Sequence, residues 1–292
     1  MTWEEIIIQI RKQPEFSELV EKAYLDADLV LNINRFKSSD EYSETKKIIS
    51  SHFASFPAKK ILDIGSGNGI SAVSFALDGY EVTAVEPDKS ETVGSGAIRW
   101  LKERHHLSNL SVLDSFGEEL PFQDNWFDMV YIRQAMHHAR DLKKFISEAA
   151  RVLKKGGLFL TIRDHVVYNE KDKQWFLENH VLQKFYGGEN AFTLKEYKSA
   201  MKSAGIEIKK VLKYFDSPIN YFPEKKETVT AKTKSRDEWM RASLRKKLPS
   251  FLSSRKLIAG LYSRYINYKL GEAVNENEIP GRMYSFIAVK PL

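Results

Sequence analysis

KILDIGSGNG, residues 60–69, decides the fold. Ile61-Leu62-Asp63-Ile64 is a short apolar run holding one acid, and it predicts a buried strand. Three glycines, Gly65, Gly67 and Gly69, follow at alternate positions. The next segment, SAVSFALDG, predicts a helix with Ala72, Val73, Phe75 and Ala76 on one side. Strand, glycine turn and helix together let a nucleotide approach the backbone of a Rossmann-like sheet. Glycine is required because a side chain would obstruct that approach and because some turn dihedrals have positive φ.

The details separate this turn from a dinucleotide site. That fingerprint places a third Gly or Ala three residues after the second glycine, where this chain has Ile70. The strand also carries an acid, Asp63, and a second predicted strand, EVTAVEPD, ends in Glu86. A carboxylate at the tip of strand two can accept both ribose hydroxyls. An acid in strand one, GxGxG after it and an acid ending strand two resemble motif I and the following acidic position of class I S-adenosylmethionine (SAM) methyltransferases. The resemblance is clearest over roughly 60–163.

The resemblance implies SAM as cofactor and S-adenosylhomocysteine as product. It places Asp63, Gly65, Ser66, Gly67, Asn68 and Gly69 along the methionine moiety, Glu86 on the ribose and Pro87 near the adenine. GEELPFQDNWFDMVY looks like the family's adenine loop and fourth strand. Many relatives have an Asp-Ala pair before it. Counting back from Leu120-Pro121 gives Phe116 and Gly117, so Gly117 and Glu118 are expected at the adenine, with Asp114 as the substitute if the loop is reshaped. Backbone near Arg133 and Gln134 would meet the methionine moiety, and Arg35 is a candidate for its carboxylate.

Outward from the glycine turn, strands alternate with helices. Strands are predicted at 60–64, 81–85, 110–114, 127–132 and 158–162, with helices near 69–78, 90–104 and 141–153; two later strands fall at 206–214 and 284–289. This pattern predicts an α/β, doubly wound Rossmann-like sheet of seven strands, the last antiparallel by resemblance. The expected organisation is an N-terminal helical arm or lid at 1–58, a core at 59–214 with an insertion at 163–192, a basic helical cap at 215–282, and the final core strand at 283–292. The arm and both insertions are expected to cover the carboxyl edge of the sheet, which otherwise has no acceptor pocket.

The chain has no cysteine, which excludes disulfides, thiolate metal sites and cysteine nucleophiles, and fits a reducing compartment. No run approaches the length of a membrane span and the first residues are acidic, so a cytoplasmic protein is expected. Net charge is +6, but Lys232 to Lys269 holds eleven Lys or Arg against two acids, so the remainder is net acidic. Within this segment Ile258, Leu261, Tyr262, Tyr265 and Ile266 share one helical face. That allows peripheral membrane contact through 250–270, a helix packed on its own core, or a nucleic-acid contact; a nucleic-acid partner is not expected, because no recognised RNA module accompanies the charge.

Ligands of open α/β sheets sit at the carboxyl ends of the strands. Strand four ends in Arg133-Gln134-Ala135-Met136-His137-His138 and strand five in Arg163-Asp164-His165. His165 and His138 are the candidate general bases, with Asp164 expected to favour His165. His137, His180, Tyr186, Glu189 and Asn190 are candidate acceptor contacts. Adjacent histidines point different ways and no HxxxH or neighbouring acid cluster completes a ligand set, so no metal is expected. The chain lacks an Asn/Asp-Pro-Pro-Tyr/Phe motif after strand four, which disfavours amino methylation of bases. Its wider likeness to small-molecule and surface-glycan methyltransferases implies O-methylation of a small-molecule or glycan-type acceptor. A nucleic-acid methyltransferase and a non-catalytic SAM-binding module are the alternatives.

Overall fold

The computed structural model describes residues 2–53, 60–180, 183, 189–221, 244, 246, 258, 261–262 and 282–292. The central sheet contains β1 (Lys60–Ile64), β2 (Glu81–Val85), β3 (Leu110–Leu113), β4 (Phe127–Arg133), β5 (Leu153–Val167), β7 (Glu207–Leu212) and β8 (Met283–Val289). Their order is β3-β2-β1-β4-β5-β8-β7, and β8 runs antiparallel to both neighbours. The expected seven strands are therefore present. An eighth, the two-residue β6 (Phe192–Thr193), pairs parallel with the end of β5 and was not anticipated.

β5 also starts earlier and ends later than expected. The helix before it (α7, Leu142–Val152) passes directly into the strand, and Gly156, at φ 76°, lies within the strand rather than ending the helix. At its far end β5 runs on to Val167, carrying Arg163, Asp164 and His165 inside the sheet. The pairing with β8 slips between Thr161 and Asp164, and Arg163 has φ 61°. A bulge of this kind bends a strand and re-aims its side chains. The Arg163 N–H donates to Ser285 Oγ at 3.1 Å, which holds the irregular turn of backbone in place.

The two faces of the sheet bury separate cores, as the alternation of side chains along a strand requires. Leu62, Ile64, Val130 and Ile132 pack on Phe145, Ile146 and Ala149 of α7. Ile61, Met129 and Tyr131 pack on α5 (Ile70–Leu77) and α6 (Ser95–Arg104), together with helices of the N-terminal arm. That arm comprises α1 (Trp3–Arg11), α2 (Ser17–Lys22), α3 (Leu29–Lys37) and α4 (Asp40–His52). Thr2 caps α1 in a reciprocal box with Glu5, and Ser39 caps α4 through the Tyr42 N–H, a role shared in the sequence between Ser39 and Asp40.

An aromatic chain fastens the arm: Tyr24 to Phe36 (5.5 Å between centroids), Phe36 to Tyr42 (5.1 Å), Tyr42 to Phe75 (5.7 Å) and Phe75 to Tyr131 (5.0 Å). Tyr42 also donates to Asp78, which pairs with Lys37 and Lys46. The arm is thus joined to α5 and β4 by buried apolar area, with the Asp78 ion pairs at its rim. The cap expected at 215–282 and its amphipathic 250–270 segment lie outside the described residues, apart from 215–221, 244, 246, 258, 261–262 and 282. No helix among the described residues is long and apolar enough to cross a membrane.

Candidate functional site

The glycine turn has the shape a nucleoside ligand needs. Gly65, Gly67 and Gly69 all have positive φ, at 70°, 53° and 86°. A Cβ on Gly65 would lie 2.4 Å from Ala135 Cβ, so glycine there lets the turn meet the segment after β4. A Cβ on Gly67 would meet nothing within 4 Å. That open space, bordered by backbone, is the cradle a ligand would fill.

Glu86 lies across the turn. Its Oε2 accepts from the Gly67 N–H at 2.7 Å and its Oε1 from the Asp88 N–H at 2.9 Å. A carboxylate has about four lone-pair sites, so two stay available for hydroxyl donors. Burial pushes its pKa up to about 7 against these hydrogen bonds. Asp63 is fully buried, and neither of its oxygens has a partner at hydrogen-bond geometry. Burial lifts its pKa to about 7 as well, with the Ser71 hydroxyl and Arg133 pulling the other way. Two buried, under-satisfied carboxylates beside a glycine cradle fit a ligand that brings hydroxyl and ammonium donors, and the resemblance named one: the ribose and amino group of SAM.

Other expected cofactor residues support the turn or stand elsewhere. Ser66 Oγ donates to Asp63 O at 2.9 Å, and Asn68 Nδ2 donates to Tyr24 O at 2.7 Å, tying the turn to the arm. Pro87 is exposed. Arg35 reaches Asp26 at 3.4 Å. The residues expected at the adenine, and the Arg133 side chain, have partners within the protein. Gly117 is required for packing, since a Cβ there would lie 2.3 Å from the Phe145 ring. Glu118 spends its Oε1 on the Arg140 N–H at 2.9 Å, and Asp114 binds Arg99 at 2.6 Å. Arg133 directs its guanidinium into the arm.

Arg133 makes a bidentate pair with Glu41 of α4, Nε to Oε1 at 2.6 Å and Nη2 to Oε2 at 3.0 Å. Glu41 is completely buried, and Arg163 Nη1 lies 3.8 Å from the same carboxylate. Burial alone would lower the Arg133 pKa, but Glu41 outweighs it and holds the guanidinium charged. Sequence reasoning missed Glu41, because nothing in a helical DEYSETKK segment marks one acid as the partner of a strand end 92 positions away. Gln134 continues the strained end of β4 at φ 50°; its N–H donates to Ile162 O, and its side-chain oxygen accepts from Arg133.

Beyond Ala135 the chain enters a histidine cluster. His137 is buried, its Nδ1 3.2 Å from Asp164 Oδ1 and its Nε2 3.6 Å from Glu189 Oε2. Asp164 was expected to orient its neighbour His165; the structure gives its carboxylate to His137, because the bulge in β5 turns it towards β4. Burial disfavours the charged imidazole, but the two carboxylates outweigh it and raise His137 to about 9. His165 is also buried, its ring 4.6 Å from that of His137 and 4.7 Å from Phe176. His138, with 46% of its side chain exposed, lies 4.0 Å from Glu189 Oε2. His180 Nδ1 lies 3.6 Å from Glu189 Oε1, so three histidines surround one carboxylate. Burial raises Glu189, yet they hold it down at about 2.

The structure therefore brings together His137, His138, His165, His180 and Glu189. Asn190 turns away, its Oδ1 accepting from the Ala191 N–H, and Tyr186 lies outside the described residues. The reasoning against a ligand set also needs correction. His137, His165 and Glu189 each offer an atom, and these atoms lie within 4.8 Å of one another. They come from three separate segments, so no spacing motif could announce them.

A methyltransferase-domain family model matches residues 62–161. An uncharacterized methyltransferase, YcgJ of Bacillus subtilis (strain 168), is 35% identical over 106 residues, 36% of this chain and 40% of that protein. A fatty-acid O-methyltransferase of Mycolicibacterium smegmatis is 31% identical over 107 residues, 37% of this chain and 38% of that one. The chain thus matches less than half the length of these curated relatives. The crystal structure of a geranyl diphosphate C-methyltransferase from Streptomyces coelicolor A3(2) superposes with a TM-score of 0.55 at 14% identity, covering 94% of this chain and 88% of that one. At that identity the likeness is one of fold. Strand order, glycine cradle, acid-tipped β2 and the family match over its central hundred residues agree: residues 62–161 form a class I SAM-dependent methyltransferase domain.

Proposed function

We propose that this chain transfers the methyl group of SAM to an oxygen of a small-molecule or glycan-type acceptor bound over the ends of β4 and β5. One observation carries the oxygen assignment: a cluster of four histidines and two carboxylates, with His137, His165 and Asp164 buried and His138 at its exposed edge, begins two residues after Ala135, which packs against Gly65 of the cradle. A chamber of this polarity suits hydroxyl or carboxyl groups better than an apolar carbon acceptor.

Bound SAM supplies a methyl group already activated for in-line displacement. The chain must then exclude water, hold the acceptor and remove its proton. Phe176 and the arm close off solvent. His137, held between Asp164 and Glu189, orients the acceptor oxygen towards the methyl group. His138 is the most exposed of the four histidines, and as the base it can pass the proton on to water. His165, the other expected base, is packed between His137 and Phe176 and positions them.

The test is formation of S-adenosylhomocysteine from SAM against a panel of sugars, phenols, fatty acids and amines. Turnover with oxygen acceptors supports the reading, and turnover confined to amines overturns it. With an alcohol acceptor, His138→Ala should lower the single-turnover rate about 10²–10⁴-fold and leave SAM affinity unchanged.

A further inference from the structure

The geometry points to a divalent transition-metal site formed by His137, His165 and Glu189, at which the metal binds the acceptor oxygen and lowers its pKa. The inference rests on the methyl-transfer reading for its role, but not for its existence. Three observations support it.

The first is the donor geometry. Two ligands about 2.1 Å from one metal at a tetrahedral angle lie roughly 3.4 Å apart. His137 Nε2 and Glu189 Oε2 are 3.6 Å apart, and with a His165 nitrogen all three ligand atoms fall within 4.8 Å. Side-chain rotations moving these atoms by about 1 Å would place them around one ion at ordinary bond lengths.

The second is Glu189 itself. Its side chain is nine-tenths buried, and its Oε2 has no partner at hydrogen-bond distance. The two imidazoles nearest that oxygen stand at 3.6 and 4.0 Å, too far for a hydrogen bond. A buried carboxylate oxygen without a hydrogen bond is costly, and a cation between it and His137 would satisfy it.

The third is the support behind the ligands. Asp164 Oδ1 takes Nδ1 of His137, leaving Nε2 to face Glu189; carboxylate behind histidine behind metal is a recurrent second layer that fixes tautomer and ring orientation. Phe176 packs on the rings of His165 and His180. The helix carrying it (α8, Glu170–Asn179) is pinned by Arg282 to Asp172 at 2.5 and 2.9 Å.

Two imidazoles and one carboxylate with open positions select Zn²⁺, Fe²⁺ or Co²⁺ over Mg²⁺, which demands oxygen ligands. An acceptor hydroxyl bound to such an ion gives up its proton far more readily, and His138, outside the ligand set, takes it.

The test uses untagged full-length protein, stripped with a chelator and titrated with Co²⁺. Visible d–d absorption saturating at one Co²⁺ per chain and lost on adding Zn²⁺, but not Mg²⁺, is expected. His137→Ala, His165→Ala and Glu189→Gln should each weaken Co²⁺ binding at least ten-fold, while calorimetric binding of S-adenosylhomocysteine shows that each variant is folded. No saturable band, or a band that survives all three substitutions, overturns the metal site. If Co²⁺ binds as described and S-adenosylhomocysteine does not, the metal site stands and the methyl-transfer reading fails; the reverse result leaves the enzyme standing without the metal.

Discussion

Affinity for SAM should depend on pH through Glu86. Its carboxylate already accepts from the Gly67 and Asp88 N–H groups, and the ribose would add two hydroxyl donors to the remaining lone pairs. Protonation puts a hydrogen on one oxygen and removes an acceptor. Burial sets the pKa at about 7 in the free protein, so about one molecule in eleven is ionised at pH 6 and about ten in eleven at pH 8. If only the ionised form takes the ribose, Kd rises about ten-fold from pH 8 to pH 6, near 1.4 kcal/mol. Asp63, with the same pKa and cause, would steepen the slope where it also has to be ionised. Isothermal titration of S-adenosylhomocysteine at pH 6, 7 and 8 measures this in wild type, Glu86→Gln and Asp63→Asn. Glu86→Gln should bind more weakly at pH 8 and lose most of the pH dependence. An affinity flat from pH 6 to 8 in the wild type, or an unaltered slope in Glu86→Gln, would refute the assignment of Glu86 to the ribose.

Three further outcomes follow from the same geometry. Glu41→Gln breaks a bidentate pair whose carboxylate is fully buried and leaves Arg133 without its countercharge between arm and sheet; it should cost about 3–5 kcal/mol, read by urea denaturation. Gly65→Ala puts a methyl 2.4 Å from Ala135 Cβ at a residue with φ 70° and should cost about 2 kcal/mol or more through strain and overpacking, visible as a lowered Tm. His137, raised to about 9 in the fold, contributes stability that is complete below the ordinary histidine pKa of about 6.5 and lost as pH rises through about 9. Denaturation at pH 6.5 and 9.5 should show that loss in the wild type and a smaller one in Asp164→Asn.

The glycine turn and its two acids were legible because their arrangement is local. Asp63, the glycine turn and the helix after it are contiguous, and Glu86 is fixed by the end of the next strand, so a one-dimensional pattern carries nearly the whole geometry. The packing around Gly117 and Glu118 was not legible, because the loop is shaped by Phe145 and the Arg140 backbone, partners some twenty to thirty residues on. The acceptor half is non-local. His137, Asp164 and Glu189 meet only because β4 and β5 are neighbours and because a bulge at Arg163 shifts the register of β5. A bulge at a non-glycine residue leaves no compositional mark. The pairing of Asp164 with His137 instead of His165, and of Glu41 with Arg133, could therefore be read only from the fold.

The most direct test of the account is a crystal structure of the chain with S-adenosylhomocysteine. The account predicts both ribose hydroxyls within hydrogen-bond distance of Glu86, the methionine moiety against Gly65 and Gly67, and the sulfur facing the His137 cluster. A ligand bound away from the glycine turn, or seated there with its ribose pointing away from Glu86, would contradict it.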